Sequence, residues 1–185
     1  MNSELVPVRN VLATIFEKIE TAQKNEVALP PREKRLPDES IMRLRAAIGY
    51  GWRVDEICGP WTSDGEYGFR SGPVLDFKYQ PIQDLTHDER VAIVNEARRG
   101  ASRTAIGEHI SMLAAHRRYN GAQGFTFVMG DLMGYIGHLS ELAIRNAMDV
   151  LKLEDSGWFP HTREIVRECE WQQKKIDRLA ETVKQ

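Results

Sequence analysis

The sequence predicts a mainly α-helical fold, a multi-helix bundle carrying a small β-hairpin insertion and an N-terminal helical arm. Apolar residues recur at three- and four-residue spacing along most of the chain, and recognisable helix starts and stops separate the runs. That spacing lapses only across residues 52–81, where glycines, prolines and aromatics crowd together. A length of 185 residues, with 42% hydrophobic and 28% charged residues, suits one globular domain with an appended arm. A chain of this size buries roughly two thirds of its unfolded surface, enough for a core without staples.

Val8, Leu12, Ile15, Phe16 and Ile19 place residues 3–24 in an amphipathic helix. The prolines at 30, 31 and 37 remove amide donors and bias the residues before them toward extended backbone. Residues 1–37 therefore form an N-terminal helix and Pro-rich linker, and residues 38–185 form the helical domain. Asp38 is the expected N-cap of a short helix with Ile41, Leu44, Ala47 and Ile48 on one side. Gly49-Tyr50-Gly51 is its expected stop. Within 52–81, Tyr67, Phe69, Val74, Leu75, Phe77 and Tyr79 predict two short strands around a Ser71-Gly72 turn.

The remainder reads as helix. Thr86 and Glu89 fit a capping box that opens a helix ending at Gly100. Ser102 starts another, with Ile106, Ile110, Leu113 and Ala114 as its buried stripe and Asn120-Gly121 as its end. Residues 125–139 form a helix rich in small residues, and Ser140 separates it from the next, which ends near Leu153. Thr162 is the expected cap of a long final helix, residues 162–183.

Chemistry-bearing motifs are missing where enzymes need them. No Gly-Lys-Ser/Thr or GxGxxG turn is present to bring backbone amides to a phosphate. There is no HExxH and no GxSxG. His109 and His116 share a helix face but have no carboxylate at ligand spacing. Cys169 stands between Glu168 and Glu170, which raise a thiol pKa and make it a poor nucleophile. No catalytic, cofactor-binding or metal-binding residue is nominated, and no cofactor is expected. Cys58 and Cys169 lack any zinc-type spacing, which favours reduced thiols in a cytoplasm. Glu4, Arg9, Glu17 and Lys18 interrupt the apolar residues near the N-terminus, so no signal peptide is expected. The most apolar stretch, residues 125–139, is too short and too broken by Gly130, Asp131 and Gly134 to span a membrane.

The net charge is −2, yet the charge is unevenly spread. Residues 54–89 carry eight acidic and two basic side chains, and residues 90–121 carry two acidic and six basic ones. Arg98, Arg99 and Arg103 gather around one turn, and Arg117 and Arg118 close the following helix. These five are the candidates for single-stranded or duplex DNA phosphates. The pair of helices over residues 86–119 also admits a helix-turn-helix reading, although its second helix offers few groups suited to base edges. Basic residues in last helical turns also complement the helix dipole.

Ile165, Cys169, Gln172, Ile176, Leu179 and Val183 make a heptad-like seam on the final helix. Its first half is expected to pack on the protein's own core. The part beyond Trp171 is expected to project as a partner-binding or self-pairing helix, which allows a homo-oligomer. Trp158, Phe159, Gln172, Lys175, Ile176, Leu179 and Val183 are accordingly the candidate contacts for a protein partner.

Residues 135–147, Tyr-Ile-Gly-His-Leu-Ser-Glu-Leu-Ala-Ile-Arg-Asn-Ala, lead through a short acidic loop to Trp158-Phe159-Pro160-His161-Thr162 and then to residues 163–169, Arg-Glu-Ile-Val-Arg-Glu-Cys. This pattern resembles the small helical unit of bacteriophage proteins that load or inhibit the replicative helicase, the phage lambda replication protein P type. The likeness covers residues 125–172. It implies a replication accessory protein whose partner is a ring helicase or single-stranded DNA, with no ATP site of its own. The readings ranked behind it are a DNA-binding regulator using residues 86–119 and a non-catalytic inhibitor or adaptor of a host complex. An enzyme comes last.

Overall fold

The computed structural model describes residues 35–60, 62–63, 69–70, 73–82, 85–118, 125–153 and 157–184. The N-terminal helix expected over residues 3–24 and nearly all of the Pro-rich linker lie outside the described residues. Within them the fold is mainly helical with two small antiparallel pairs of strands. The order is α1 (Asp38–Gly51), β1 (Trp52–Cys58), β2 (Thr62–Ser63), β3 (Phe69–Arg70), β4 (Val74–Pro81), α2 (His87–Ala97), α3 (Arg103–Ala115), α4 (Phe125–Ile136), α5 (Glu141–Leu153) and α6 (Thr162–Glu181).

Helix α1 departs from expectation at both ends. Pro37 occupies the N-cap position, and Asp38 makes no capping bond. The Asp38 carboxylate instead holds Arg35 Nη1 at 2.7 Å and Arg145 Nη1 at 2.8 Å. Its pKa is lowered, chiefly by the hydrogen bond from Arg35. The glycines do not stop the helix, which runs through Gly51. A Cβ at Gly51 would sit 2.5 Å from Leu85 Cδ1, so glycine there permits close packing rather than ending the helix.

The ribbon is also paired differently from expectation. Val74 to Tyr79 lie in a strand as predicted, but β4 pairs with β1, from Trp52↔Pro81 to Ile57↔Asp76, before an irregularity at Cys58. β2 and β3 pair with each other inside this excursion, Thr62↔Arg70 and Ser63↔Phe69. The proposed turn residues Ser71 and Gly72 lie outside the described residues. β1 hides from pattern reading because only Trp52 of its seven residues is buried, and Arg53, Asp55 and Glu56 supply no alternation.

Two apolar clusters share α5 and α6. The first joins Ile41, Leu44 and Ala47 of α1 and Trp52 to Ile93, Val94 and Ala97 of α2, Leu142 and Ala143 of α5, and Ile176, Leu179 and Ala180 of α6. The second joins Ile106, Ile110 and Leu113 of α3 to Leu132 and Ile136 of α4, Ile144 and Met148 of α5, and Ile165 and Cys169 of α6. Full burial of each such Leu or Ile stabilises the fold by about 1.5–3 kcal/mol. Helix α2 packs on α1 and α6, while α3 packs on α4 and α5, so α2 and α3 hardly touch. The two helices of residues 86–119 thus each cover a different apolar cluster.

The caps of α2 and α3 follow the sequence. Glu89 N–H donates to Thr86 Oγ1 while the Glu89 carboxylate accepts from Thr86 N–H, and Ala105 N–H donates to Ser102 Oγ. Ser140 Oγ accepts from Ala143 N–H at the start of α5. At α6 the N-cap is His161, not Thr162, and its N–H donates to Glu164 Oε2 at 2.8 Å.

Charge and aromatic contacts fasten the outer elements. Arg145, nearly buried, bonds Asp38 and Asp149, and Arg45 reaches Asp149 at 2.8 Å and Asn146 Oδ1 at 2.7 Å, tying α1 to α5. Burial alone would raise the Asp149 carboxyl, but the two guanidiniums override it and hold its pKa below the ordinary value. The ribbon docks on α6 through Phe77 against Trp171, with ring centroids 5.1 Å apart, and through Arg178 on both oxygens of Asp76. Trp52 Nε1–H donates to Thr182 Oγ1 at 2.8 Å, fixing the root of the ribbon to the end of α6.

Candidate nucleic-acid interface

The basic residues predicted from sequence fall into two groups at the two ends of α3, a helix of 13 residues and so about 20 Å long. The first group surrounds the turn between α2 and α3. Arg98 is exposed at the C-cap of α2, Arg103 is exposed at the first position of α3, and Arg99 is largely buried with Nη1 3.9 Å from Glu96. This turn is docked on the start of α5: Gly100 bridges Ser140, and Glu141 N–H donates to the Arg99 carbonyl at 3.0 Å. Ala105, Ile106, Gly107, His109, Ile110 and Leu113 of α3 are buried, which leaves a narrow outer face containing Thr104, Glu108 and Ser111. That face carries one carboxylate and two hydroxyls, few groups suited to base edges.

The second group is built differently. Helix α3 ends at the His116 C-cap, and the chain then runs beside the segment entering α6. Arg118 N–H donates to the Gly157 carbonyl at 3.0 Å, and Phe159 N–H donates to the Arg118 carbonyl at 2.8 Å. Gly157 sits at φ +67°, a left-handed conformation that glycine adopts without a Cβ clash, and this aims the following residues along Arg118. Phe159 then packs on the second apolar cluster, while Trp158 stays half exposed.

Arg117 Nη2 donates to the Leu151 carbonyl at 2.5 Å, closing the last turn of α5. His116 Nδ1–H donates to the Met112 carbonyl at 2.7 Å. Ala115, His116, Arg117, Arg118, Gly157 and Trp158 together line an open groove of about 470 Å³. Its lining thus includes one large aromatic residue, two arginines and a histidine. This combination suits a stacked planar group beside an anion.

The partner residues expected on the final helix are a correction. Gln172, Ile176 and Leu179 are buried, Val183 packs against the first cluster, and Gln172 Nε2 donates to Glu168 Oε1 at 2.7 Å. Lys175 lies over the Phe77 ring, 4.9 Å from its centroid. The seam of α6 is consumed by α1, α2, α5 and the ribbon, so its far half does not project. Of the seven partner candidates, Trp158 alone offers a large exposed apolar surface.

Local sequence patterns also missed a buried ionisable pair. His109 Nε2 lies 3.1 Å from Glu141 Oε1 with both side chains fully enclosed, and Glu141 Oε1 also accepts from Leu36 N–H at 2.5 Å. Thirty-two residues separate the pair, and no local periodicity links them. Both cysteines are free. Cys58 is exposed, and Cys169 is buried with its thiol pushed up to about 12 by desolvation and then by Glu168 and Glu170.

Among the described residues, no group of three or more His, Cys, Asp or Glu side chains could hold a metal ion, and no helix is long and apolar enough to cross a membrane. No protein-family model matches the chain, and no curated protein or solved structure is significantly similar to it.

Proposed function

We propose that the protein is a phage-type DNA replication accessory protein that acts without catalysis, holding single-stranded DNA while it works beside a protein partner, the replicative helicase. The observation that supports this reading is the groove in which Trp158 stands half exposed beside Arg117, Arg118 and His116. An exposed aromatic ring next to cationic side chains is what unpaired bases and their phosphates require, because every base has a stackable face and every linkage a charge. The helicase enters from the resemblance of residues 125–172 to helicase-loading phage proteins. Single-stranded DNA is favoured over duplex because the exposed face of α3 offers few groups suited to base edges.

The test is fluorescence anisotropy with a labelled oligothymidylate and the matching duplex over a salt series. Single-strand binding should exceed duplex binding and weaken with salt. Trp158→Ala should cost about 1–3 kcal/mol of single-strand affinity, and Arg118→Ala should reduce the salt slope by about 0.7. No single-strand binding at low salt would overturn the reading. If Trp158→Ala then abolished binding to purified helicase, the adaptor reading would replace it.

A further inference from the structure

The β1–β4 ribbon has two outer edges, and they are not equivalent. β4 lies against α6, where Lys174 Nζ donates to the Leu75 carbonyl at 2.8 Å and Arg178 grips Asp76, so its outer side is occupied. β1 has no other strand beside it among the described residues. Its Arg53 side chain is 74% exposed, Val54 is 49% exposed and Ile57 is 48% exposed.

The pairing register states which backbone groups this edge presents. Ile82 N–H donates to the Gly51 carbonyl, so the Gly51/Ile82 position is a hydrogen-bonded pair. Such pairs alternate in an antiparallel ladder. Arg53, Asp55 and Ile57 therefore spend their backbone groups on β4, and Trp52, Val54 and Glu56 direct theirs outward. The Trp52 N–H is returned to the Ile48 carbonyl. Trp52 is also buried, at 3% exposed, so what remains open is both groups of Val54 and Glu56.

We infer that two copies of this chain pair antiparallel through the free edge of β1, about a two-fold axis at Val54, to form a four-stranded sheet. In that register each Val54 N–H meets the other Val54 C=O. Arg53 of one copy then faces Asp55 of the other at a position where side chains approach closely, and the symmetry makes this pair twice. Within one chain Arg53 and Asp55 already lie 3.4 Å apart. The edge is thus complementary to itself in charge as well as in hydrogen bonding. Proline, which blocks such pairing, is absent from β1. An interface this short lies below about 1,200 Å², so monomer and dimer should exchange at micromolar concentrations.

Sedimentation analysis from about 5 μM to about 1 mM should show a reversible monomer–dimer equilibrium, the window in which small interfaces associate. Arg53→Asp should weaken the dimer by about tenfold or more, since two attractive cross-strand pairs become repulsive, and the exchange Arg53→Asp with Asp55→Arg should restore it. Val54→Pro deletes the bond at the axis without touching the β1–β4 ladder, and should give a folded monomer by circular dichroism. In a Cys58→Ser background, Val54→Cys should oxidise to a disulfide-linked dimer, the Cα separation of a hydrogen-bonded pair being about 5.5 Å. A monomer throughout the range, with no cross-link formed by the Val54→Cys variant, would overturn the inference. A dimer indifferent to Arg53→Asp would overturn it equally, by placing the contact elsewhere.

Discussion

His109 Nε2 and Glu141 Oε1 lie 3.1 Å apart in a site from which solvent is wholly excluded. Glu141 is the first residue of α5. The same oxygen accepts the Leu36 N–H, and the Glu141 N–H donates to the Arg99 carbonyl. One buried residue thus joins the segment before α1, the α2–α3 turn, α3 and α5. His109 Nδ1 is buried and meets no hydrogen-bond partner among the described residues, so the imidazole depends on Glu141 for its polar contact.

Removing that carboxylate leaves an imidazole and a backbone amide enclosed without their acceptor. Glu141→Ala should lower the free energy of unfolding by about 2–5 kcal/mol, as leaving two donors without their acceptor does. Urea denaturation checks this, and a loss under about 1 kcal/mol would mean that the site opens to water.

Helix α6 should behave as core along its whole length. Leu179 is 1% exposed, so Leu179→Ala should cost about 2–5 kcal/mol. Ending the chain after Trp171 should abolish cooperative thermal unfolding, because Ile176, Leu179 and Ala180 complete the first apolar cluster. A truncated protein that melts like the full chain would restore the projecting tail.

Asp76 gives the docking of the ribbon a dependence on acid. Its carboxyl is held well below the ordinary 3.8, first by the hydrogen bond from Arg178 and next by the Phe77 N–H. A depressed folded-state pKa contributes stability that is complete above the unfolded value and disappears as pH falls through the folded one. The melting temperature should therefore drop between about pH 5 and pH 2, and Asp76→Asn should flatten part of that fall while lowering stability at neutral pH. An identical profile in both proteins would show that Asp76 is not the group responsible.

The two thiols should separate cleanly by reactivity. Cys58 is exposed, and Cys169 is buried with its thiol pushed up to about 12, where almost no thiolate exists at neutral pH. Ellman titration of the native protein should modify Cys58 alone, with Cys169 reacting only after denaturant is added. Rapid modification of both would show that α6 opens readily.

Local sequence determined much of the helical framework. Thr86 with Glu89, and Ser102, mark helix starts because a cap is an interaction within a few residues, and the stripe of Ile106, Ile110 and Leu113 marks a buried face because helical pitch is fixed. The seam on α6 likewise places Ile165, Cys169, Gln172, Ile176 and Leu179 on one face, yet from sequence the half beyond Trp171 reads as a projecting partner helix. The seam could not say what covers that face, since an apolar stripe looks the same whether its cover is the chain itself or a partner. Only the tertiary structure decided that the cover is internal. It also decided that β4 takes the charged β1 as its partner, that His109 meets Glu141, and that Arg118 runs beside Trp158. Those contacts join residues far apart in the chain, and their energy comes from burial and hydrogen bonds that exist only once both segments are in place, so no local periodicity records them.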